Sequence, residues 1–540
     1  TYLKGSVSRL TYNKYNYSDI LIEGQFKSPI FKGKINVNDP NLFMDFEGLV
    51  DLSKKVLRYD FKTNIDYANL ANLNFVNDSI AVFKGNVTMN ISGNSLDDLE
   101  GEINIMQTAY NNDKDNYIFD DFTITSTFDT DKERTIAVNS PDIIEGQMVG
   151  KFKFKELRAI LENAAGSLYA NYQPNKVSKG QYLKFNFSIY NKIIDVFVPE
   201  IELGLNTTIR GAINSDKNEF KMVFNSPNIK AFDNYIDRIL VNIDNKNPLY
   251  NTYIEMDTIK TKYYKVSDFS FINVTAKDTL FVRTEFKGGK NAQDFYNLNL
   301  YHTINPEKNS VIGLKKSEVH FKEYMWFLNQ DENPDNKVVF DKELKNFDIK
   351  NFVMTHENQR IELFGKLKDS TFKDLELNFA NVNLSKIVPT IDSLKVNGNL
   401  NGKINFKQNK QVYQPTAQIR VDSLQMNAID LGNLNLDIKG DDSFKNFTVY
   451  SNLENKDLES FLAEGTFAIQ NKETLLNLDV RLNNFDASSL SPLGGTVISN
   501  IRGLVSGTAN LAGNIKNPEI NGRLFLDKAG LKIPYLNYAD

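Results

Sequence analysis

The chain has 540 residues, with 63 Lys and Arg against 68 Asp and Glu, a formal net charge of −5 and no cysteine. That balance gives no basic footprint for nucleic acid, and the missing cysteines remove disulfides, thiolate nucleophiles and cysteine metal sites together. Hydrophobic residues at 41% and aromatics at 12% supply enough apolar surface for a folded chain rather than a disordered one.

The sequence reads as strand from Thr1 and Tyr2 onward, with no initiator Met, and it ends at Asp540 directly after an apolar stretch. Both ends look cut, so an anchor or targeting segment is expected outside these residues. The first clear pattern is Gly85, Val87, Met89, Ile91, Gly93, apolar or glycine at every second position. Such a run segregates its side chains only as a β-strand. Asp113, Lys114 and Asp115 begin like a calcium loop but lack its glycine and distal glutamate, so they read as a solvated hairpin loop. From Lys155 to about Tyr172, Leu157, Ile160, Leu161, Ala164 and Leu168 fall on one helical stripe ending before Pro174. This helix is expected to cover part of a sheet, because its other face is not strongly basic as a membrane-surface helix requires.

Alternation returns at Ile201, Leu203, Leu205, Ile209, Gly211, Ile213. A weaker helix is predicted over Phe321 to Leu328, and a short helical turn over Leu384 to Ile391 around Pro389. Then follows the most regular part: Leu394, Val396, Gly398, Leu400, Gly402, Ile404, Phe406, and on to Gly507, Ala509, Leu511, Gly513, Ile515. Short loops such as Gly440, Asp441, Asp442 separate the strands, which argues for an antiparallel meander with one apolar face. No linker divides the chain. We read a continuous body over 1–380 and a most regular segment over 381–540, without a sharp boundary.

The glycines share parity with the apolar residues. Gly85, Gly93, Gly211, Gly398, Gly402, Gly507, Gly513 and Gly522 are expected to bend the sheet where a missing side chain permits it. The apolar set expected to line one lumen is Val396, Leu400, Ile404, Ile419, Val421, Leu434, Leu436, Ile438, Phe447, Val449, Leu476, Leu478, Leu511, Ile515, Leu524 and Leu526. A single apolar face cannot stay in water; it packs on a second sheet, curls on itself or holds an apolar ligand. The ordinary sandwich is the competing arrangement, but the glycine placement and the lack of domain breaks favour a curled, open groove. The expected fold is therefore all-β: an elongated, curled antiparallel sheet with an apolar lumen and a few short covering helices. At about 4.8 Å per strand, some ~35–40 strands would reach on the order of 150–200 Å.

Motifs for chemistry are lacking. His302, His320 and His356 are not spaced for one helix face, and no nucleophile elbow, phosphate loop or dinucleotide loop occurs. The lone Trp326 argues against a sugar-stacking cleft. Asn-x-Ser/Thr sequons at Asn86 and Asn206 are expected by chance in an Asn-rich chain. No enzyme, cofactor or metal is expected.

The stretch from Gly503 through Gly507, Gly513 and Pro518 to Gly522 resembles the glycine- and proline-punctuated strand motif of the TamB family, within the AsmA-like superfamily. Ile391 to Gly402, Leu431 to Leu436 and Gly93 to Gly101 are similar to the same family. The resemblance covers about residues 380–540 and is patchier at 75–130 and 310–370. It implies a β-taco with an apolar lumen, in a protein anchored in the inner membrane and crossing the periplasm of a diderm bacterium. It further implies phospholipid transport towards the outer membrane with a BamA-like barrel partner, or alternatively assistance in outer-membrane barrel assembly. A structural or adhesive cell-surface β-protein is the remaining reading. It calls for an even period and polar ladders, which the sequence lacks.

Overall fold

The computed structural model describes residues 1–539 except 54, 170–171, 322–323, 389–394, 428, 457, 471–472, 495–498 and 534–537. It is predominantly antiparallel β with a few short helices. The chain divides into two compact units, Thr1–Lys277 and Asp278–Asp540. The change in regularity near residue 380 lies inside the second unit, where the strand Phe372–Asn383 pairs directly with Val396–Asn409.

In the first unit the ladder runs almost in chain order. Tyr2–Val7 pairs with Ile20–Lys27, then Ile30–Asp39, Leu42–Asp51, Arg58–Asn69, Ala81–Ser92 and Glu100–Asn112 follow. It continues through Phe122–Phe128, Arg134–Asn139, Ile144–Lys151 and Tyr182–Ile189 to Thr207–Asn214, Glu219–Ala231, Asn234–Asp244, Thr252–Lys260 and Lys265–Ala276. Tight turns close it: Phe232 and Asp233, at φ 47° and 65°, form the two-residue link into Asn234–Asp244, the left-handed geometry that matches strand twist. The acidic loop Asp113 to Asp115 is a hairpin loop, its backbone N–H groups at Lys114 and Asp115 donating to the Asn112 carboxamide.

The helix Phe154–Gly166 is shorter than its apolar stripe predicts. Ile160 and Ala164 are buried against Phe152, Leu183, Ile213 and Phe220, so it lies on the sheet's apolar face. Leu161 is 52% exposed and belongs to the outer side. Lys153 at the helix start has no capping side chain; the Asp97 carboxylate instead accepts the Phe154 N–H at 2.6 Å. The helix's Glu156 takes bonds from the Ser178 N–H and hydroxyl and from Gln181. The Ser178 N–H foremost, then its hydroxyl, holds the Glu156 carboxyl at about 2 rather than 4.5. A depressed carboxyl contributes stability that is complete above pH 4.5 and is lost as pH falls towards 2. Amide protection in residues 176–181, taken relative to the intrinsic exchange rate at each pH, should therefore fall on acidification through that window, and Glu156→Gln should flatten the dependence.

In the second unit Thr279–Gly288 pairs with Asp294–Ile304, and the ladder proceeds to Asn346–His356, Gln359–Lys368, Phe372–Asn383, Val396–Asn409, Val412–Met426, Ile429–Gly440, Asn446–Asn455, Leu458–Gln470, Glu473–Asp486, Ser499–Asn514 and Glu519–Ile533. The helix predicted over Phe321 to Leu328 is a correction: Ser317–Phe321 and Tyr324–Leu328 are paired strands, with Trp326 opposite Val319. Aromatic residues spaced by two satisfy a pleated surface as well as a helix face, and the cross-strand partner decides. The helical turn is Leu384–Ile387, started by the Asn383 side chain accepting the Ser385 N–H; Pro389 to Leu394 lie outside the described residues.

The chain exposes 32282 Å², whereas two compact globules of half its mass each would expose roughly 24,000 Å². The excess is what sheets open on one side expose.

Candidate apolar binding face

Residues opposite one another in an antiparallel ladder share a face, so the registers show which side chains lie together. In the second unit one row runs Leu377, Ile404, Ala417, Ile438, Val449, Gly465, Leu478, Leu511, Ile520. The next runs Gly402, Ile419, Leu436, Ser451, Ala463, Val480, Ala509, Gly522, and a third Leu400, Val421, Leu434, Leu453, Phe461, Leu482, Gly507, Leu524. Phe447, Phe467 and Leu476 extend the face on its other flank, with the two phenylalanine rings stacked at 4.6 Å. The register thus puts these sequence-selected residues on one side of one sheet. Leu526 joins it opposite Val505. Val396 reaches the margin opposite Met426 across a register shift, and Ile515 falls just past the end of its strand.

Their burial differs. Leu400, Val421 and Phe447 are buried. Val396, Ile419, Leu434, Leu436, Ile438, Val449, Leu476, Leu478 and Leu511 are half-buried, and Ile404, Ile515, Leu524 and Leu526 are exposed. Leu400 and Val421 belong to a cluster at one margin, where Trp326, Val382, Leu424, Leu431, Leu453 and Phe485 gather with Leu384 and Ile387 of the short helix. The remainder of the face is apolar without being closed.

Three of the glycines sit where the ladder shifts. Gly398 falls within the slip at Asn397 and Asn399, Gly507 pairs with Leu482 beside the slip to Phe485, and Gly85 adjoins two slips. Such bulges bend a strand and increase its twist. Gly402 lies opposite Ile419, Gly513 opposite Leu476 and Gly522 opposite Ala509. Gly211 faces Phe185, and Gly93 follows the strand Ala81–Ser92.

The first unit carries a corresponding face that the C-terminal lining set did not include. Ile22, Ile35, Phe46, Thr63, Val87 and Ile105 form one row. Phe31, Val50, Tyr59 and Ile91 begin another that passes through Gly101 and Ser126 and continues to Ile136, Met148, Phe185, Gly211, Met222 and Ile243. The hairpin Leu10–Tyr12 and Tyr15–Tyr17 covers one margin: Tyr17 is buried with Ile20, Val37 and Leu73.

The opposite face is polar. Lys4, Glu23, Lys34, Glu47 and Lys62 lie in one cross-strand row, with ion pairs of 3.2 Å (Lys4 to Glu23) and 3.3 Å (Lys34 to Glu47). A cavity of about 1000 Å³ takes in this row together with Asn36, Asp45, Asn64 and Asn86. The same cavity is also lined by Ile22, Ile35, Phe46, Thr63 and Val87 of the first apolar row. In the second unit Asn435 donates to Asn452 at 3.0 Å on the side opposite that unit's own apolar rows.

Among the described residues no group of three or more potential metal ligands converges. His302 and His320 lie within strands. His356 ends the strand Asn346–His356, its Nδ1 2.7 Å from the Met325 carbonyl and its Nε2 2.7 Å from Lys386 Nζ. Among the described residues no helix is long and apolar enough to cross a membrane. Comparison with protein-family models, with curated proteins and with solved structures returned no match.

Proposed function

We propose that the open apolar face binds phospholipid acyl chains and passes them along the sheet, in the periplasm of a diderm bacterium between the inner and outer membranes. The observation that carries this reading is the row structure: apolar side chains stay in register across successive strands and remain only half-covered. Each acyl methylene taken from water contributes about 0.8 kcal/mol, so such a face holds a lipid without a specific polar site. Movement along it needs many similar weak seats rather than one deep pocket, and the repeated rows supply them. The resemblance of Gly503 to Gly522 to the TamB family supports the same function, with a BamA-like barrel as partner and a membrane anchor outside these residues. The reaction is transfer, not catalysis.

A photocrosslinker at Leu436 or Leu478 should capture phospholipid, and one at Asn435, on the polar face, should not. Val421 is a poorer probe site, because at 3% exposure it is packed in the marginal cluster. Equal capture at Leu436 and Asn435 would overturn the reading. Native mass spectrometry after detergent-free purification should show bound lipid in the parent protein.

A further inference from the structure

Before the strand Arg134–Asn139, the long row of the first unit passes Val50, Tyr59 and Ile91, which are half-buried. Farther along, the same row passes Met148, Phe185 and Met222, also half-buried, which pack at the edge of the cluster that Ile160 of the helix Phe154–Gly166, at 1% exposure, forms with Leu183, Ile213 and Phe220 of the adjoining row. The row runs between the two stretches through Gly101 and Ser126, and the helix desolvates Leu183, Ile213 and Phe220, which lie beside it on the same face. An acyl chain and the helix cannot both take that stretch.

Polar tethers at both ends hold the helix in place, independently of its apolar contacts. At the start, Asp97 accepts the Phe154 N–H, and Glu156 is held by Ser178 and Gln181. Arg134, itself 4% exposed, donates to the carbonyls of Leu96 and Leu99 and places its guanidinium 4.9 Å from the Phe154 ring. Beyond the last turn, Asn245 donates to the Ser167 hydroxyl at 2.8 Å, and Thr275 donates to the Leu168 carbonyl at 2.9 Å. Tethers of this kind can be cut or locked without changing a core residue.

We propose that this helix is a built-in occupant of the acyl-chain track: it substitutes for lipid over the strands from Arg134–Asn139 to Glu219–Ala231 and divides the first unit's face, so that cargo passes there only when the helix lifts. The inference rests on the acyl-chain reading above.

The test uses the full chain and phosphatidylethanolamine–phosphatidylglycerol vesicles that carry a diazirine acyl phospholipid, with labelled peptides mapped by mass spectrometry. Three proteins are compared. One is the parent. The second is Ser167→Cys with Asn245→Cys, bridged by a short bismaleimide; the chain has no other cysteine to interfere. The third, Glu156→Gln with Thr275→Val, has a tether weakened at each end, and circular dichroism checks that it folds; Ser178→Ala is the milder replacement if it does not. Peptides from Arg58–Asn69 and Ala81–Ser92 should be labelled equally in all three. Peptides from Tyr182–Ile189 and Glu219–Ala231 should be labelled several-fold less than these in the parent and not at all in the bridged protein. In the loosened protein they should rise several-fold. Equal labelling of both regions in the bridged protein overturns the partition while leaving the acyl-chain reading standing. Absence of label from both regions in every protein overturns the acyl-chain reading, and the partition with it.

Discussion

Val421→Asp is expected to melt the second unit at a much lower temperature than the parent, whereas Leu436→Asp should leave the melting temperature within a few degrees and lower the lipid load instead. The two residues are close on the same face. Val421 lies opposite Leu434 and Leu400, is 3% exposed and is packed with Trp326, Val382 and Leu453. A carboxylate there gives up about 1.5–3 kcal/mol of apolar burial. It must also be desolvated or take up a proton, a cost of several kcal/mol more. Leu436 is only half-buried, and its row continues into the small residues Ser451 and Ala463. Water can reach a carboxylate at that position, so the cost falls to about 1–2 kcal/mol, the lost burial alone. For a unit of this size that is a shift of a few degrees. Differential scanning calorimetry beside native mass spectrometry of the same two variants checks both halves. A steep melting loss at Leu436 would mean a closed interior, the sandwich arrangement, and would remove the main support for a lipid face.

Where strands stay in simple register, the alternation in the sequence was enough to assign the face. Leu434, Leu436 and Ile438 meet Val421, Ile419 and Ala417 as period two requires. The marginal core was harder to read because it sits at the slips. Val382 is fully buried, yet it falls after the shift from Phe379, and Leu424 falls after the shift from Val421. One extra residue reverses parity, so an alternation count places such side chains on the wrong face. Trp326 was misplaced for a different reason. Tyr324, Trp326 and Leu328 suit a strand, but the neighbouring Met325 and Phe327 make a continuous apolar run, which periodicity alone does not resolve. The polar tethers of the helix were invisible for a third reason: Asp97 and Glu156 meet their partners 57 and 22 residues away, and no local pattern marks such pairs.

Gly402→Ala should destabilise the second unit by about 3 kcal/mol or more, through two separable causes. Gly402 has φ 137°, a backbone conformation that side chains rarely adopt. A Cβ built there would also overlap the carbonyl oxygen of Gln418 on the paired strand, so the ladder itself would have to open. Gly513, at φ 84°, has nothing within 4 Å of such a Cβ. Gly513→Ala therefore isolates the conformational cost, about 1–2 kcal/mol. Gly5 has neither a positive φ nor a neighbour within 4 Å, and Gly5→Ala should be neutral. Urea midpoints for the three variants should thus fall in the order Gly5→Ala, Gly513→Ala, Gly402→Ala, with the last far below the others. The consequence for lipid follows from where the glycine lies. Gly402 faces Phe379 and Ile419 within the apolar rows, one residue pair from the slip that begins beyond Phe379. A strand forced away from its partner there breaks the rows across Phe372–Asn383 and Val396–Asn409, so Gly402→Ala protein that remains folded should also lose lipid capture at Leu436. If Gly402→Ala costs no more than Gly513→Ala, the close approach of the two strands is not what selects glycine, and the glycines would not be holding the bends of this sheet.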